Sequence, residues 1–242
     1  MTATSSPSAL IFGARNLGRA VIELLIARGW SVAGVARSGE TLDAISVAGA
    51  RAIRADVTDQ DSVREALTEA ASAHGGVDLV VNAASAYGGE RRGPFGGGPI
   101  AEAEAEAFDS WAVAPGRSAF AFLSAGGRYL LAQGRPATLV QVSGGSARRA
   151  ASGRGLWAAG AFSVRAITQA AALELREHGI HVALLIVDAG IQTREREVTD
   201  DRRAALADPR QLADAVLFLA EQGPRAATHE LQVTPLAERW IP

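Results

Sequence analysis

The sequence predicts a single α/β domain in which a parallel sheet of about seven strands is covered by helices on both faces. Short apolar runs alternate along the chain with longer segments whose apolar residues recur at helical spacing, which is the pattern of β-α-β units. The apolar runs are continuous, as expected of strands that are buried on both faces. The length of 242 residues suits one such domain, which we expect to span residues 1–242.

The strands are predicted from the continuous apolar runs, at residues 9–12, 31–36, 51–55, 77–82, 137–142, 180–187 and 231–233. The helices are predicted from helical spacing, at residues 20–28, 59–74, 156–178 and 209–222, with a further interrupted helical segment at 102–133. Asp59 is the candidate N-cap of the second of these helices, and Gly75 follows its last residue. We expect residues 1–8 to form a flexible start.

Three segments interrupt this regular order. Pro115 lies in the interrupted helical segment, where proline removes a hydrogen bond and clashes with the preceding turn. We therefore expect residues 104–133 to form two helices with a kink, the alternative being that Pro115 opens the second helix at its first turn. Residues 83–100 are a glycine-rich loop after the fourth strand, which is either a ligand-binding loop or a solvated insertion. Residues 193–208 are densely charged and predict a lid or a solvated helix.

The composition argues against several kinds of site and partner. The chain has no cysteine and its four histidines show no metal-ligand spacing, so we predict no metal. All 24 basic residues are arginine, so no step can use a lysine. A net charge of −2 without a long basic run predicts no nucleic-acid partner. No apolar run approaches the roughly 18 residues of a membrane-spanning helix. Since the start also has no secretory signal, we expect a cytoplasmic protein without a membrane partner.

A glycine motif follows the first predicted strand. The segment Gly13-Ala14-Arg15-Asn16-Leu17-Gly18 stands where that strand turns into a helix. Glycine lets the backbone turn sharply and approach a phosphate, and the free N–H groups at the start of a helix favour an anion. The motif therefore predicts a site for the pyrophosphate of a dinucleotide. The residues that we expect to form it are Gly13, Arg15, Asn16, Leu17 and Gly18.

Together with later segments, this motif resembles the short-chain dehydrogenase/reductase family, whose fold is a doubly wound sheet of the Rossmann type. The motif is similar to the family's Gly-x-x-x-Gly-x-Gly with one residue deleted and Asn16 at the middle glycine. Asp56-Val57 is similar to the family's Asp-Val after the third strand, and Asn82-Ala83-Ala84 to its fourth-strand Asn-Asn-Ala-Gly. The resemblance covers residues 9–234. It implies a binding site for NAD or NADP that includes Asp56, Val57, Asn82, Ala83 and Ala84.

Arg37 distinguishes between the two cofactors. It lies just past the second predicted strand, where an acidic residue would bind the ribose 2′-hydroxyl of NAD. An arginine at that place better suits a 2′-phosphate. The resemblance therefore favours NADP(H) as the cofactor, with NAD(H) as the alternative. Without a cofactor, Arg37 is a solvated surface residue.

The catalytic residues of the family have no counterparts in the register that the resemblance gives. Trp157 stands at the position of the family's proton-transferring tyrosine, and Ala161 at that of the lysine that lowers its pKa. Gly144 stands at the serine position and Pro115 at the position of the relay asparagine. A positioned general acid contributes about 10²–10⁴-fold to a rate. The resemblance therefore implies a degenerate active site and not a standard ketoreductase.

Other polar residues are candidate surrogates. Ser143 is adjacent to the serine position, and Tyr87 is one of only two tyrosines in the chain. Asp188 replaces the proline of the family's Pro-Gly after the sixth strand, where a carboxylate would repel or reorient the surroundings of the nicotinamide. Arginines after the fourth and fifth strands predict a pocket for an anionic small molecule, unless they are solvated. They are Arg91, Arg92, Arg148 and Arg149.

Three functions remain open. The first is a silent protein that binds a nucleotide or a partner, such as a subunit beside an active homologue. The second is an oxidoreductase, NADP-dependent by resemblance, with a rearranged site. The third is a non-redox isomerase, lyase or cyclase that reuses the pocket. Because members of the family commonly assemble through the long helix, the resemblance also implies a homodimer or homotetramer.

Overall fold

The computed structural model describes residues 6–85, 93–193 and 199–237, and within them seven strands form one parallel sheet. The strands of the protein are β1 (Ser8–Phe12), β2 (Ser31–Ala36), β3 (Arg51–Arg54), β4 (Leu79–Asn82), β5 (Ala137–Gly144), β6 (Ile180–Val187), β7 (Gly190–Ile191), β8 (Leu206–Ala207) and β9 (Glu230–Val233). The sheet has the order β3-β2-β1-β4-β5-β6-β9, and β7 pairs only with β8. The predicted fold class is confirmed.

The helices lie on both faces of this sheet. They are α1 (Leu17–Ala27), α2 (Gly39–Val47), α3 (Gln60–His74), α4 (Ala105–Phe108), α5 (Ala114–Gln133), α6 (Gly155–Leu175), α7 (Asp200–Ala204) and α8 (Pro209–Ala220). Helices α1 and α8 pack together on one face, and α3, α5 and α6 cover the other. No helix in the described ranges is long and apolar enough to cross a membrane.

Strand β1 shows why the strands read as continuous apolar runs. All five of its residues are buried. Ala9 and Ile11 belong to the core under α1 and α8, whereas Leu10 and Phe12 belong to the core under α3 and α5. Successive side chains of a strand point to opposite faces. A strand in the middle of a doubly covered sheet must therefore be apolar at every position.

The start of the chain differs from its prediction at one residue. Ser8 opens β1, pairs with Ser31 of β2 and is buried. Its N–H donates to Asp78 Oδ2 at 2.8 Å and its hydroxyl donates to the Gly76 carbonyl at 2.8 Å. A residue with these bonds is part of the sheet. The prediction of a flexible start is thus wrong for Ser8, and residues 1–5 lie outside the described residues.

Helix α3 begins and ends where its capping residues predict. The Asp59 carboxylate accepts hydrogen bonds from the N–H groups of Asp61 at 2.8 Å and Ser62 at 3.0 Å. Gly75 ends the helix with φ of 79°, in the left-handed region that glycine enters without strain. Helix α2, in contrast, was not predicted. Only Ile45 of its nine residues is buried, so it shows too short an apolar stripe for the helical spacing to be recognised.

Pro115 does not break its helical segment, so the prediction that it separates two helices is wrong. The backbone stays helical from α4 through a π-helical turn at Asp109–Val113 into α5, of which Pro115 is the second residue. The Ala114 N–H bonds to the Asp109 carbonyl, five residues back. The wider turn takes up an extra residue just before the proline, where its missing N–H and its ring would disturb a regular α-helix. The position agrees with the alternative that Pro115 lies in the first turn of a helix.

The two long loops are partly described. Residues 96–98 are buried and pack onto the start of α6, because a Cβ on Gly97 would lie 2.7 Å from Leu156 Cδ1. This part of the loop is therefore not a solvated insertion. Within 193–208, α7 is an exposed helix with no buried residue, followed by β8 paired with β7. Residues 194–198 lie outside the described residues, and the lid stays a prediction.

Candidate cofactor and ligand site

A cavity of about 550 Å³ lies at the carboxyl ends of β4, β5 and β6. The strand order reverses between β1 and β4, and ligands of open α/β sheets bind at the carboxyl edge beside such a reversal. The turns after the three strands, the first residue of α1 and one side of α5 and α6 form the walls. The volume is in the range of small-molecule sites.

The predicted glycine turn lies behind this cavity. Gly13 has φ of +81°, and a Cβ there would lie 2.4 Å from the Ala84 backbone nitrogen. A Cβ on Gly18 would lie 2.5 Å from the Gly13 carbonyl oxygen. Both glycines are thus required by the close packing of the protein's own backbone. Leu17, Ala83 and Ala84 line the cavity, whereas the two glycines shape the turn that supports it.

The start of α1 fits a phosphate group. Asn16 is the N-cap residue, but its side chain makes no capping hydrogen bond. The first turn of α1 contains no acidic residue, and Arg15 is exposed beside it. A helix start whose N–H groups are not satisfied by a side-chain cap is a favourable place for an anion. The residues present therefore fit the pyrophosphate of a dinucleotide.

Two residues predicted to hold different parts of the nucleotide contact each other. Arg37 Nη1 lies 3.3 Å from Asp56 Oδ2, and the Arg54 guanidinium donates to the Arg37 carbonyl. Partial burial alone would raise the pKa of Asp56, but hydrogen bonds from Thr58 and the charge of Arg37 outweigh it and lower the pKa. Val57 next to Asp56 is buried in the core, so its side chain is turned away from a ligand.

Asn82 is used to shape the loop after β4. Its Nδ2 donates to Gln141 Oε1 at 3.0 Å, and its Oδ1 accepts from the Ala84 N–H at 3.1 Å. The side chain is buried. Both polar ends of Asn82 therefore hold the loop and β5 in place. Its effect on a bound nucleotide would be through the position of Ala83 and Ala84.

The positions that the resemblance assigns to catalysis lie around one cavity. Pro115, Gly144, Trp157 and Ala161 line it, and so does Ser143. A Cβ on Gly144 would lie 3.4 Å from Trp157 Cζ2, which is ordinary contact. The indole therefore lies directly against the serine position. The other predicted surrogate, Tyr87, lies outside the described residues, as do Arg91 and Arg92.

Three cavity residues were not predicted from the sequence. Ser118 on α5 is 2% exposed, and its hydroxyl has no hydrogen-bond partner within the described part of the chain. Leaving such a group unpaired costs about 1–3 kcal/mol. Phe95 lies edge-on to Trp157, with ring centroids 4.7 Å apart, and Arg154 lies over the Phe95 ring at 5.4 Å. A phenylalanine flanked by glycines and a proline in the loop was the available signal for Phe95.

Asp188, which also lines the cavity, forms an ion pair. Its carboxylate accepts from Arg149 Nη1 at 2.7 Å and Nη2 at 3.3 Å, and from Gln232 Nε2 at 3.2 Å. A Cβ on Gly145 would lie 1.8 Å from Asp188 Oδ1, so the carboxylate fits only against a glycine. Arg149 neutralises the charge that we expected to repel the nicotinamide. That expectation is therefore corrected.

The predicted arginine-rich pocket is corrected for Arg148 and Arg149, whereas Arg91 and Arg92 lie outside the described residues. Arg149 is engaged by Asp188, and Arg148 Nη1 lies 3.3 Å from Glu230 Oε2. Glu230 also accepts from Arg165 Nε at 2.7 Å. Acidic residues from neighbouring strands thus bind these arginines, which the sequence alone did not reveal. Within the described ranges, no three acidic or histidine side chains come together as a metal site would need.

The strand order, the glycine turn before α1 and the cavity at the reversal define a dinucleotide-binding α/β protein of the Rossmann type. A family model described as short chain dehydrogenase matches residues 8–202. The chain therefore belongs to the short-chain dehydrogenase/reductase family, whose fold is that of NAD(P)-binding oxidoreductases.

Relatives agree with this membership. The chain is 31% identical over 182 residues to the sorbitol dehydrogenase of Cereibacter sphaeroides, a match that covers 72% of this chain and 67% of the relative. It is 29% identical over 244 residues to the short-chain dehydrogenase/reductase eriH of Hericium erinaceus, covering 91% and 92%. The alcohol dehydrogenase of Thermococcus sibiricus, solved with 5-hydroxy-NADP, has a TM-score of 0.79 at 20% identity, with 98% and 99% covered. At that identity the likeness concerns the fold.

Proposed function

We propose that this protein binds NADP(H) at the carboxyl edge of its sheet without performing the tyrosine-based carbonyl reduction of its family. It then acts as a nucleotide-binding protein with a second ligand in the cavity. One observation carries the proposal. Trp157 and Ala161 line the cavity at the positions that correspond to the family's proton donor and its activating lysine.

Nucleotide binding is supported by the residues around α1 and β2. The start of α1 offers N–H groups without a side-chain cap or a nearby acid to a pyrophosphate. Arg15 and Arg37 are both exposed and bring positive charge to the same edge. The Thermococcus sibiricus relative was solved with an NADP derivative. A bound NADPH supplies a hydride, and this chain's own residues hold and orient it.

The loss of carbonyl reduction follows from the groups that face the cavity. The indole N–H of Trp157 donates a hydrogen bond but does not release its proton at ordinary pH. Ala161 brings no charge, and Gly144 has no hydroxyl to orient a substrate oxygen. Among the described residues at these positions, none is an acid that could protonate an oxygen gaining negative charge in the cavity. Removing a general acid costs about 10²–10⁴-fold in rate.

One observation favours a second candidate, an oxidoreductase with a rearranged site. Ser143 lines the cavity next to Gly144 and carries a hydroxyl group. A serine hydroxyl can donate a hydrogen bond to a substrate oxygen, but it is a far weaker acid than a tyrosine beside a lysine. This candidate therefore predicts a slow reduction that depends on Ser143.

The test combines binding with turnover. Purified protein is titrated with NADPH and NADH by calorimetry, and NADPH oxidation is then followed with a panel of aldehydes and ketones. We expect saturable binding of NADPH and no oxidation above the rate without protein. A slow rate that disappears in Ser143→Ala would establish the second candidate instead. Rapid oxidation would overturn the proposed silence, and the absence of any heat with either nucleotide would overturn the binding.

We also propose that the protein is a homodimer or homotetramer built on α6, and that it works in the cytoplasm. Phe162 and Leu173 are 43% and 64% exposed, and their spacing puts them on one side of the helix together with Ala166. Light scattering at micromolar concentration should give at least a dimer, and Phe162→Glu should give monomers. A monomeric parent protein would contradict the assembly.

A further inference from the structure

We propose that the cavity binds an aromatic carboxylate that also carries a ring hydroxyl group. The inference deepens the proposed function, since it names the class of ligand for the cavity described above. It depends on three described residues that the sequence did not single out, Phe95, Arg154 and Ser118. Each of them supplies a different kind of contact, and together they define the chemical class.

The aromatic part of the ligand is indicated by two aromatic residues of the cavity wall. The rings of Phe95 and Trp157 both line the cavity, and Phe95 is 47% exposed. Phe95 also lies edge-on to Trp111, with ring centroids 5.2 Å apart, and Trp111 is fully buried behind it. Aromatic rings favour edge-on or offset contacts with further rings. The edge-on pair of Phe95 and Trp157 therefore offers apolar ring surfaces against which a planar aromatic ligand can pack.

The carboxylate is indicated by Arg154, which lines the same wall. Arg149 is neutralised by Asp188, and Arg148 and Arg165 by Glu230. Arg154, in contrast, forms no ion pair with any residue in the described ranges. Of the two arginines among the described lining residues, Arg154 is thus the one without an ion-pair partner in the described ranges, and a guanidinium matches the planar fork of a carboxylate.

The position of Arg154 is fixed by its surroundings. Its backbone bridges to Gly98, and a Cβ on Gly96 would lie 2.9 Å from Arg154 Cγ. The stem of the side chain therefore packs on the glycine turn, while the guanidinium lies over the Phe95 ring at 5.4 Å. A cation held against an aromatic ring loses little freedom when it binds an anion. This placement joins the charge and the ring contact in one subsite.

The ring hydroxyl is indicated by Ser118 at the cavity. In α6, the hydroxyls of Ser163 and Thr168 donate to carbonyls of their own helix, at 2.7 Å in both cases. The Ser118 hydroxyl makes no such bond among the described residues, although it is buried. A ligand with a hydroxyl group remote from its carboxylate would satisfy it, because a phenol both donates and accepts.

The experiment is calorimetric titration with 4-hydroxybenzoate, in the presence and in the absence of NADPH. Its uncharged analogue 4-hydroxybenzamide, the non-aromatic cyclohexanecarboxylate and phenyl phosphate are the comparison ligands. We expect 4-hydroxybenzoate to bind more tightly than all three. Arg154→Gln should weaken 4-hydroxybenzoate about tenfold or more and leave 4-hydroxybenzamide nearly unchanged. Ser118→Ala should weaken it about threefold.

The matched control is Arg225→Gln, an exposed arginine in the turn before β9, at the opposite edge of the sheet. It should leave 4-hydroxybenzoate binding unchanged. Equal affinities of the parent and Arg154→Gln would overturn the inference, as would tighter binding of phenyl phosphate or the absence of binding to any aromatic carboxylate. NADPH binding that persists without 4-hydroxybenzoate binding refutes this inference alone. The reverse result refutes only the nucleotide part of the proposed function.

Discussion

The two halves of the sheet's carboxyl edge are held together by different forces. In the half built on β1 and β4, backbone meets backbone, because Gly13 leaves no room for a Cβ against Ala84. In the half built on β5 and β6, side chains meet across strands, as Asp188 does with Arg149 and Gln232. The first half is held by the steric fit of the backbone, and the second by hydrogen bonds to a charged side chain.

This difference separates the contacts that the fold requires from the contacts that are specific to this site. Backbone packing of the glycine turn is needed for the fold whether or not a nucleotide binds. The ion pair of Asp188 and Arg149 depends on two specific side chains that lie 39 residues apart. Side chains of this kind can differ between proteins of one fold without disturbing the backbone of the strands. The proposed loss of catalysis is therefore confined to the second half.

The largest effect is expected where backbones touch. Gly13→Ala combines a left-handed φ of +81° with a Cβ 2.4 Å from the Ala84 nitrogen, so the turn must move. It should lower the free energy of unfolding by about 3 kcal/mol or more. Gly29→Ala is the matched control, with φ of +80° and no atom within 4 Å of the added Cβ. It should cost about 1 kcal/mol. Urea unfolding measures both losses. Equal values would show that the close approach to the Ala84 nitrogen adds no cost to that of the left-handed φ.

The next largest effect is expected from breaking the ion pair in the other half. Arg149→Met leaves the Asp188 carboxylate, whose side chain is 11% exposed, with a hydrogen bond from Gln232 but no cation to neutralise its charge. Removing one partner of a fully buried pair costs about 3–5 kcal/mol. Because the Arg149 side chain is 32% exposed, we expect water to reduce the loss to about 2 kcal/mol. Arg148→Met should cost less than about 1 kcal/mol, because Glu230 keeps Arg165. Similar losses in the two variants, measured by urea unfolding, would contradict this ranking.

The first half could be predicted from the sequence to a large extent, because its signals are local. The predicted second strand matches β2, and Asp59 and Gly75 mark the ends of α3 as expected. The long-range contacts could not be predicted in this way. The Trp111 carbonyl oxygen and the Pro115 ring both pack against Gly160 on α6. A Cβ on Gly160 would lie only 2.3 Å from that oxygen, so the close packing requires a glycine. No local pattern reveals that contact.

The same reasoning separates the predicted and unpredicted parts of the site. Trp157 and Ala161 were placed at the cavity by their register in a long helix, which a sequence pattern can fix. The pairing of Arg149 with Asp188 joins two elements through the fold of the whole chain. Phe95 and Arg154 likewise meet only because the glycine-rich loop packs on α6. Sequence alone lists such groups but does not say which of them neutralise one another.

The charged groups of the second half should also contribute more pH-dependent stability than those of the first half. Burial alone would raise the pKa of Glu230, but hydrogen bonds from Arg165 and Gln169 and the charges of Arg165 and Arg148 lower it below 4.5. A carboxyl with a lowered pKa stabilises the folded state above its unfolded pKa and loses that effect as the pH falls through its folded pKa. Glu230→Gln should therefore cost about 1 kcal/mol at pH 7. The difference from the parent should vanish as the pH falls below 4.5.

The comparison variant for this pH series is Asp56→Asn. The pKa of Asp56 is lowered in the same direction, but its pair with Arg37 is exposed, at 38% and 72% for the two side chains. Solvent screens such a pair, so the variant should lose less stability than Glu230→Gln at pH 7, and both differences should vanish as the carboxyls become protonated. Urea midpoints between pH 3 and 7 measure both series. A larger loss for Asp56→Asn would place the stronger electrostatic contribution in the first half.

The smallest effect is expected for the choice of nucleotide, which we predict to favour NADPH over NADH. A 2′-phosphate must draw the exposed Arg37 guanidinium away from Asp56, which already binds it at 3.3 Å. The net gain is therefore at most that of an exposed ion pair, about 1 kcal/mol or roughly fivefold in affinity. Arg37→Asp removes the cation and adds a second carboxylate beside Asp56, so the preference for NADPH should disappear or reverse.

Arg225→Asp makes the same change of charge at the opposite edge of the sheet and should keep the preference. Calorimetry at low and high salt measures the difference, which salt should reduce in the parent because the pair is exposed. Equal affinities of the parent for NADPH and NADH would show that Arg37 does not bind the 2′-phosphate. Of the two exposed arginines at this edge, Arg15 would then be the one that attracts the nucleotide.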